Sequence, residues 1–339
     1  MKLMKTEDAV GQVLYHDITQ IIKGVTKDAV FRKGHVIKEE DIPVLLSVGK
    51  DHVFIWENDE NMLHENDAAE ILRDICMGEN ISASKPKEGK IELIADIDGM
   101  LTIDVARLNT VNALGEMMIA TRHGGYAVKK GDKLAGTRVI PLTIHKDKMA
   151  KAKEAAEDKP LLNVKPFTKK KVGVITTGNE VFLGRIKDTF TPVIADKFAE
   201  FGSQIDWHMV LGDSSEKITA AIREMLDAGM DIVVCTGGMS VDPDDRTPLA
   251  IRSSGVQIVT YGAPVLPGTM FILAYTEDGR AMMGLPGCVM YAHRTIFDLV
   301  LPSIMSNVRV TAEQLVQYGE GGLCLNCGEC HFPNCAFGK

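Results

Sequence analysis

Two groups of residues in this 339-residue chain have the types and spacing to do chemistry. The first is a set of four cysteines, Cys324, Cys327, Cys330 and Cys335, in the pattern C-x2-C-x2-C-x4-C. Four thiolates in so short a stretch can wrap one metal centre, and Gly328 and Pro333 suit a tight ligand loop. A structural zinc ion and an iron–sulfur cluster both take four cysteines, so the spacing leaves both open. His331 could replace one of the thiols. Cys76, Cys235 and Cys288 are scattered and are expected to be structural. In a reducing compartment such a cluster reads as a metal site before it reads as disulfides.

The second group is three glycine turns, each behind an apolar run. They are Thr176-Thr177-Gly178-Asn179-Glu180, Thr236-Gly237-Gly238-Met239-Ser240 and Gly284-Leu285-Pro286-Gly287. Glycine lets main-chain N–H groups approach an anion closely. One such turn alone could simply close a βα connection. Three together predict a phosphate- or pyrophosphate-binding cleft. Glu180, Asp188, Asp242, Asp244 and Asp245 lie beside these turns. Carboxylates next to phosphate are unfavourable unless Mg²⁺ bridges them. Capping of a helix starting at Thr247-Pro248 would account for one of Asp244 and Asp245, not for both.

These turns need strands to carry them. From Lys169 onward the chain alternates apolar runs with helical spacing. Strands are expected at 171–177, 204–210, 231–235, 256–260, 269–274 and 280–285. Helices are expected from a Thr191 cap to Phe201, from Ser214 or Ser215 to Ala228, from Thr247 to near Gly255, and over 289–305. That rhythm predicts an α/β fold with a doubly wound, mostly parallel sheet. All three turns then share the carboxyl edge, where such sheets bind ligands.

The earlier part reads as smaller β-rich pieces. Residues 1–60 form a β/α module with a helix over 39–48 and a strand over 52–56. Residues 61–145 form an α+β module. It has a helix over 65–77, a hairpin of 91–94 and 101–105 about Asp98-Gly99, a helix over 111–121 and a strand over 139–144. Residues 146–168 are a linker helix and linker, 169–306 the α/β domain, and 307–339 the cysteine-rich tail.

Composition bounds the function. With 45% hydrophobic and 25% charged residues the chain is of ordinary globular type. A formal charge of −8 argues against general nucleic-acid binding. No apolar run approaches the roughly 18 residues of a spanning helix. The first residues lack the apolar core of a signal peptide. The expected setting is cytoplasmic, away from membranes.

The ordered motifs carry a resemblance. Thr-Thr-Gly-Asn-Glu at 176–180, Asp188-Thr189, Thr-Gly-Gly-Met-Ser at 236–240, Asp245-Arg-Thr-Pro248 and Gly-Leu-Pro-Gly at 284–287 stand in the order found in molybdopterin-binding domains. The chain resembles the molybdopterin molybdenumtransferases and adenylyltransferases of molybdenum cofactor biosynthesis. Gly-Leu-Pro-Gly and the opening Glu7 to Leu14 favour the molybdenumtransferase branch. The resemblance implies that molybdopterin, or its adenylylated form, lies along Thr177, Gly178, Glu180, Asp188, Thr189, Gly237, Gly238, Ser240, Asp244, Asp245, Pro286 and Gly287. It implies Mg²⁺-dependent release of AMP as molybdate or tungstate enters the dithiolene. By motif position Asp245 is the catalytic or Mg²⁺-binding carboxylate, with Glu180 and Asp188 supporting it. Relatives are oligomers, so a homo-oligomer is expected, and molybdoenzymes or other cofactor-biosynthesis proteins are the implied partners.

The sequence also departs from that branch. The Ser-Ala-Met-Asp-Gly-Tyr-Ala stretch of the branch has only an echo here, His123 to Ala127, with Gly124 in place of the Asp. The Asn expected after Gly-Leu-Pro-Gly is Cys288. These departures leave room for a non-catalytic molybdopterin carrier or sensor. The Asp244-Asp245-Arg-Thr run is also similar to nucleotide pyrophosphatases of the competence-damage-inducible family.

Overall fold

In the computed structural model of the chain, residues 1–339 are described except Asn58, Val241, Pro243 and Asp244. Contacts divide the chain into two units, and neither is a continuous stretch. The first comprises Met1–Ile94, Asp104–Arg122 and Lys133–Leu162, and the second Ala95–Ile103, His123–Asp132 and Asn163–Lys339.

The second unit holds the α/β sheet. Its strands are β1 (Lys171–Thr177), β2 (Gln204–Leu211), β3 (Ile232–Thr236), β4 (Gln257–Tyr261), β5 (Ile272–Tyr275) and β6 (Ala281–Leu285). They are ordered β2-β1-β3-β6-β5-β4. The first four in that order run parallel. Strand β5 is antiparallel to both its neighbours. The sheet is therefore mostly parallel, as the apolar runs predict. Strands β3 and β6 are buried throughout, which is why they read as unbroken hydrophobic stretches.

Helices cover both faces: α1 (Asn179–Phe182), α2 (Phe190–Ala199), α3 (Ser215–Asp227), α4 (Thr247–Ser253), α5 (Ile296–Met305) and α6 (Ala312–Gln317). Alternation along each strand sends side chains to opposite faces. Val172, Val174, Ile232 and Val234 pack with Ile194 and Phe198 of α2 and Phe297 of α5. Ile175, Val233 and Cys235 pack with Ile218 and Ile222 of α3 and Ile251 of α4. Gly284 sits under this second layer, where a Cβ would stand 2.7 Å from Met239 and 3.0 Å from Ile251.

Two helix expectations for this unit are corrected, and one helix is additional. Residues 289–305 are not one helix: a 3-10 turn over Gly287–Met290 precedes α5. The chain restarts at Thr295, whose hydroxyl accepts from the Phe297 N–H while its own N–H donates to Asp298. Thr191 does not cap α2, because the Asp188 carboxylate accepts from the Phe190 and Thr191 N–H groups. Helix α6 was not expected, although Thr311 and Gln314 form a capping box at its start.

The first unit is β-rich. Ile81–Ala83, Lys90–Ala95, Lys133–Val139 and Met117–Thr121 form a four-stranded sheet in that order. Lys2–Lys5 pairs with His52–Ile55 over a small core of Leu14, Ile18, Ile37, Leu45 and Val53. The expected helices appear as Ile42–Ser47 and Glu65–Cys76. Residues 111–121 are not a helix. Val105–Asn112 is helical, and Met117–Thr121 is a strand with alternating burial. The Asn112 side chain both accepts from and donates to the main chain of Ile119, which fixes the reversal. The hairpin about Asp98-Gly99 does not form. Lys90–Ala95 pairs with Lys133–Val139, and Gly99–Ile103 pairs with Ala127–Val128. The expected strand over 139–144 is split, because Lys133–Val139 ends before Pro141 and Thr143–His145 follows. Among the described residues no helix is long and apolar enough to cross a membrane.

Candidate functional site

Parallel pairing of β1, β3 and β6 puts the three glycine turns at one sheet edge. The second turn crosses closest to the first. Gly237 has φ 84°, and a Cβ there would overlap the Thr177 carbonyl oxygen. Gly238 follows at φ 53°, so two successive residues are left-handed. Such consecutive turns of the peptide plane let neighbouring N–H groups face one concavity. Buried hydroxyls brace them. Thr177 Oγ1 donates to the Thr236 carbonyl at 3.1 Å and lies 3.0 Å from Thr247 Oγ1.

A groove of about 640 Å³ opens beside these turns. Gly237, Gly238, Ser240, Asp242 and Asp245 line one side, and Pro286, Gly287 and Cys288 another. Residues 266–270, which the motifs did not mark, complete the wall with Tyr291. Asp245 is half-buried, and its Oδ2 accepts from the Asp242 N–H at 3.2 Å. The carboxylate is thus held at the groove by its own turn. Ser240 is exposed at the rim. Burial raises the pKa of the Cys288 thiol above its ordinary value.

The other predicted residues separate from this group. Asp188 belongs to a polar cluster on the α2 side. Its Oδ2 accepts from Thr191 Oγ1 at 2.5 Å and from Thr176 Oγ1 at 3.1 Å, and His208 Nε2 lies 3.3 Å away. Burial opposes the Asp188 charge, but the hydrogen bonds from Thr191, Phe190 and Thr176 outweigh it and hold the pKa low. Glu180 is exposed on α1, and its carboxyl group curls back to Gly178. Neither carboxylate lines the groove. Thr189 does reach across, with Oγ1 2.7 Å from Sδ of the groove residue Met290. Thr177 lies beneath the turn, buried. Asp244 lies outside the described residues.

Sequence reasoning missed the support beneath the third turn. Lys197 of α2 and Asp298 of α5 are both buried and form a 2.5 Å ion pair. Lys197 Nζ also donates to the His293 carbonyl, and Arg294 to Asp298 at 2.8 Å. This network anchors residues 293–298, just past the groove. A Lys in the last turn of an apolar helix gives only a weak signal, because such residues are usually solvated.

The tail is not a free appendage. Phe337 is 4% exposed and joins the core of the α/β domain. Tyr126 Oη donates to its carbonyl at 3.1 Å. Gly338 passes so near Tyr126 that a Cβ would overlap the phenol oxygen. The four tail cysteines do not collapse onto one point. Among the described residues, no three His, Cys, Asp or Glu are grouped so that they could hold a metal ion. Cys324 and Cys335 are half-buried against the core, and Cys327 and Cys330 are exposed.

Known proteins resemble parts of this chain. A CinA-like protein of Mycobacterium avium (strain 104) is 36% identical over 90 residues, 26% of this chain and 21% of that protein. A CinA-like protein of Mycobacterium leprae (strain TN) is 35% identical over 77 residues, 23% of this chain and 18% of that protein. The chain therefore spans about a fifth of the length of the curated relatives it matches. The structure of CinA from Thermoplasma acidophilum, described as of unknown function, is 20% identical. It covers 40% of this chain and 98% of its own, with a TM-score of 0.34. The tungsten cofactor synthesizing protein MoaB from Pyrococcus furiosus is 18% identical. It covers 42% of this chain and 99% of its own, with a TM-score of 0.34. Residues 3–57 match a domain of unknown function, DUF8806. The groove and its three turns fall within residues 173–306, which match the family model of a probable molybdopterin binding domain.

Proposed function

We propose that the groove binds molybdopterin, or its adenylylated form, and that the chain acts in molybdenum cofactor biosynthesis. The observation that carries this is the pairing of Gly237-Gly238 with Asp245 on one wall of a groove inside the matched domain. The residues fit such a ligand. The left-handed glycines leave the second turn bare of side chains where an oxyanion would approach. Groove size is ordinary for a small-molecule site.

In the catalytic reading, Asp245 is the residue that would hold Mg²⁺, with Asp242 beside it. When bound, Mg²⁺ supplies neutralisation of the charge on pyrophosphate oxygens. The remaining work falls to the chain. The glycine turn binds oxygens through main-chain N–H groups, and Thr177 and Thr247 keep that turn rigid. Thr189 closes the third side against Met290. The product chemistry is release of AMP from adenylylated molybdopterin as molybdate or tungstate enters.

A second reading has its own support. The Asp188 carboxylate is engaged by Thr176, Thr191 and two helix amides, and Glu180 stands off the groove. Fewer free carboxylates favour a carrier or sensor that holds the pterin without cleaving it. One assay separates the two: incubation with adenylylated molybdopterin, Mg²⁺ and molybdate, followed for AMP. Molybdate-dependent AMP that disappears in Asp245→Ala supports the transferase. Tight binding with no AMP sinks it and supports the carrier. AMP from ordinary dinucleotides points instead to a pyrophosphatase.

A further inference from the structure

Besides the groove, the four tail cysteines ring a cavity of about 350 Å³ with Phe332 and Arg294. Pro267 and Tyr291 line both spaces. The Cys324 N–H donates to the Leu266 carbonyl at 2.8 Å, and the Leu266 N–H donates to the Gly322 carbonyl at 2.8 Å. Among the described residues these thiols are not grouped to hold a metal ion.

The first unit holds a space of different character, about 300 Å³, lined entirely from within that unit. Its walls carry both signs of charge: Lys33 and Arg138 against Asp17, Glu65 and Glu88. Hydrogen bonds fix several of these groups. The Lys33 N–H donates to Asp17 Oδ1 at 2.7 Å, and Thr19 Oγ1 donates to Glu88 Oε1 at 3.2 Å. Glu65 opens the helix Glu65–Cys76, and its N–H donates to the Leu142 carbonyl at 2.9 Å. Beside it Gly89 has φ 68°, and a Cβ there would stand 3.1 Å from Glu65 Oε2. Among the described residues, Lys33, Arg138 and Glu65 form no ion pair. Lys33 Nζ rests 5.5 Å from the Trp56 ring. Opposite charges thus face one space without closing on each other. Burial pushes the Glu65 carboxyl above its ordinary pKa, and Arg138 opposes this without cancelling it.

The same wall has an open hydrogen-bond position. His64 lines the space, is 5% exposed, and accepts at Nδ1 from the Asn66 N–H at 3.2 Å. In the neutral ring that leaves the proton on Nε2. Burial lowers the pKa of the ring, which Asp67 and the Tyr15 carbonyl offset only in part. Among the described residues Nε2 has no hydrogen-bond partner. A buried donor without an acceptor is a cost that an incoming oxygen removes.

A simple anion in this space would meet three carboxylates, and a simple cation would meet Lys33 and Arg138. A metal ion lacks three grouped ligands among the described residues. A ligand bearing both charges satisfies both sets at once. We propose that this cavity binds a small zwitterion of the α-amino acid class, its carboxylate received by Lys33 and Arg138 and its ammonium by Glu65 with Asp17 and Glu88. His64 Nε2–H is the neutral donor of the site. The space is at the small end of ligand cavities, which suits such a molecule. Charge-assisted hydrogen bonds at both ends are roughly twice as strong as neutral ones. This inference stands on the first unit alone and does not depend on what the groove binds.

The test screens the full chain by thermal shift against each of the common α-amino acids at millimolar concentration, with hits measured by calorimetry. Propionate and ethylamine serve as compounds carrying one charge only. At least one amino acid should raise the unfolding midpoint and bind, while neither single-charge compound does. Arg138→Gln and Glu65→Gln should each weaken that binding at least about tenfold, the loss expected for a hydrogen bond to a charged group. Arg138 is exposed, so its variant keeps the fold by circular dichroism even where Glu65→Gln disturbs the helix start. Asp245→Ala, in the groove, should leave the binding unchanged. Binding of none of the amino acids would overturn the proposal. So would equal binding of propionate or ethylamine, or wild-type affinity in folded Arg138→Gln. Loss in Asp245→Ala alone would move the amino acid to the groove and overturn it as well.

Discussion

The groove and the cysteine cavity adjoin, but they are built in opposite ways. The groove is mostly main chain: two left-handed glycines, a proline turn and strand ends, with Asp242 and Asp245 as charged side chains. The cavity is side chain: four thiols on a loop without helix or strand, pinned by Phe337 and the Leu266 bridge. A backbone site inherits the rigidity of the sheet that makes it. A thiol site has to be held by anchors that can be removed one at a time. The two should therefore fail differently under substitution.

Asp298→Ala should damage both. It strands the buried Lys197 charge, leaves the half-buried Arg294 with Glu200 alone, and removes the acceptor at the start of α5. Breaking a buried pair on one side costs roughly 3–5 kcal/mol, to be read from urea unfolding. Phe337→Ala should separate the regions. It removes a 4% exposed ring at a cost of about 3 kcal/mol. Thiol accessibility to alkylation should rise at Cys324 and Cys335, while the sheet-edge turns stay protected in hydrogen exchange. Equal loss of protection in both places would break the comparison. Gly237→Ala is the reverse case, since its Cβ meets the Thr177 carbonyl in a left-handed backbone. A cost of about 2–3 kcal/mol is expected, with pterin binding lost and cysteine reactivity unchanged.

Asp188→Asn should have the smallest effect, about 1 kcal/mol, as loss of a charged helix cap. Its pH dependence carries the information. The folded pKa lies below the ordinary carboxylate value, so the contribution is present above that ordinary value, about 3.9. It is lost as pH falls through the folded pKa. The stability gap between wild type and Asp188→Asn should close on acidification below about pH 4. A gap that widens there would contradict the capping role.

The centre of the sheet was legible because its strands β3 and β6 are buried on both faces. Runs such as Ile232–Thr236 and Ala281–Leu285 need no partner to be recognised. Met117–Thr121 was hidden because Val111, Leu114 and Met118 fall at helical spacing and run on from the real helix, although burial in the strand itself alternates. The Asp98-Gly99 turn misled because each flanking strand found a better partner later in the chain, and pairing is a tertiary choice. In the site, glycines marked the turns, and only the resemblance, not the residues themselves, ranked the carboxylates. Asp188 and Asp245 look alike in a sequence. Only the positions of Thr176, Thr191 and Asp242 show that one is consumed by a helix start and the other held at the groove.

Leu266 lines the groove, and its N–H and C=O both bond to the tail, at Gly322 and Cys324. One short segment thus reports to two spaces at once. Any occupant that shifts it on one side changes the work of occupying the other. Thermodynamic reciprocity then fixes the size: the factor by which filling the cavity alters groove affinity must equal the factor by which filling the groove alters cavity affinity. Measuring either direction determines both.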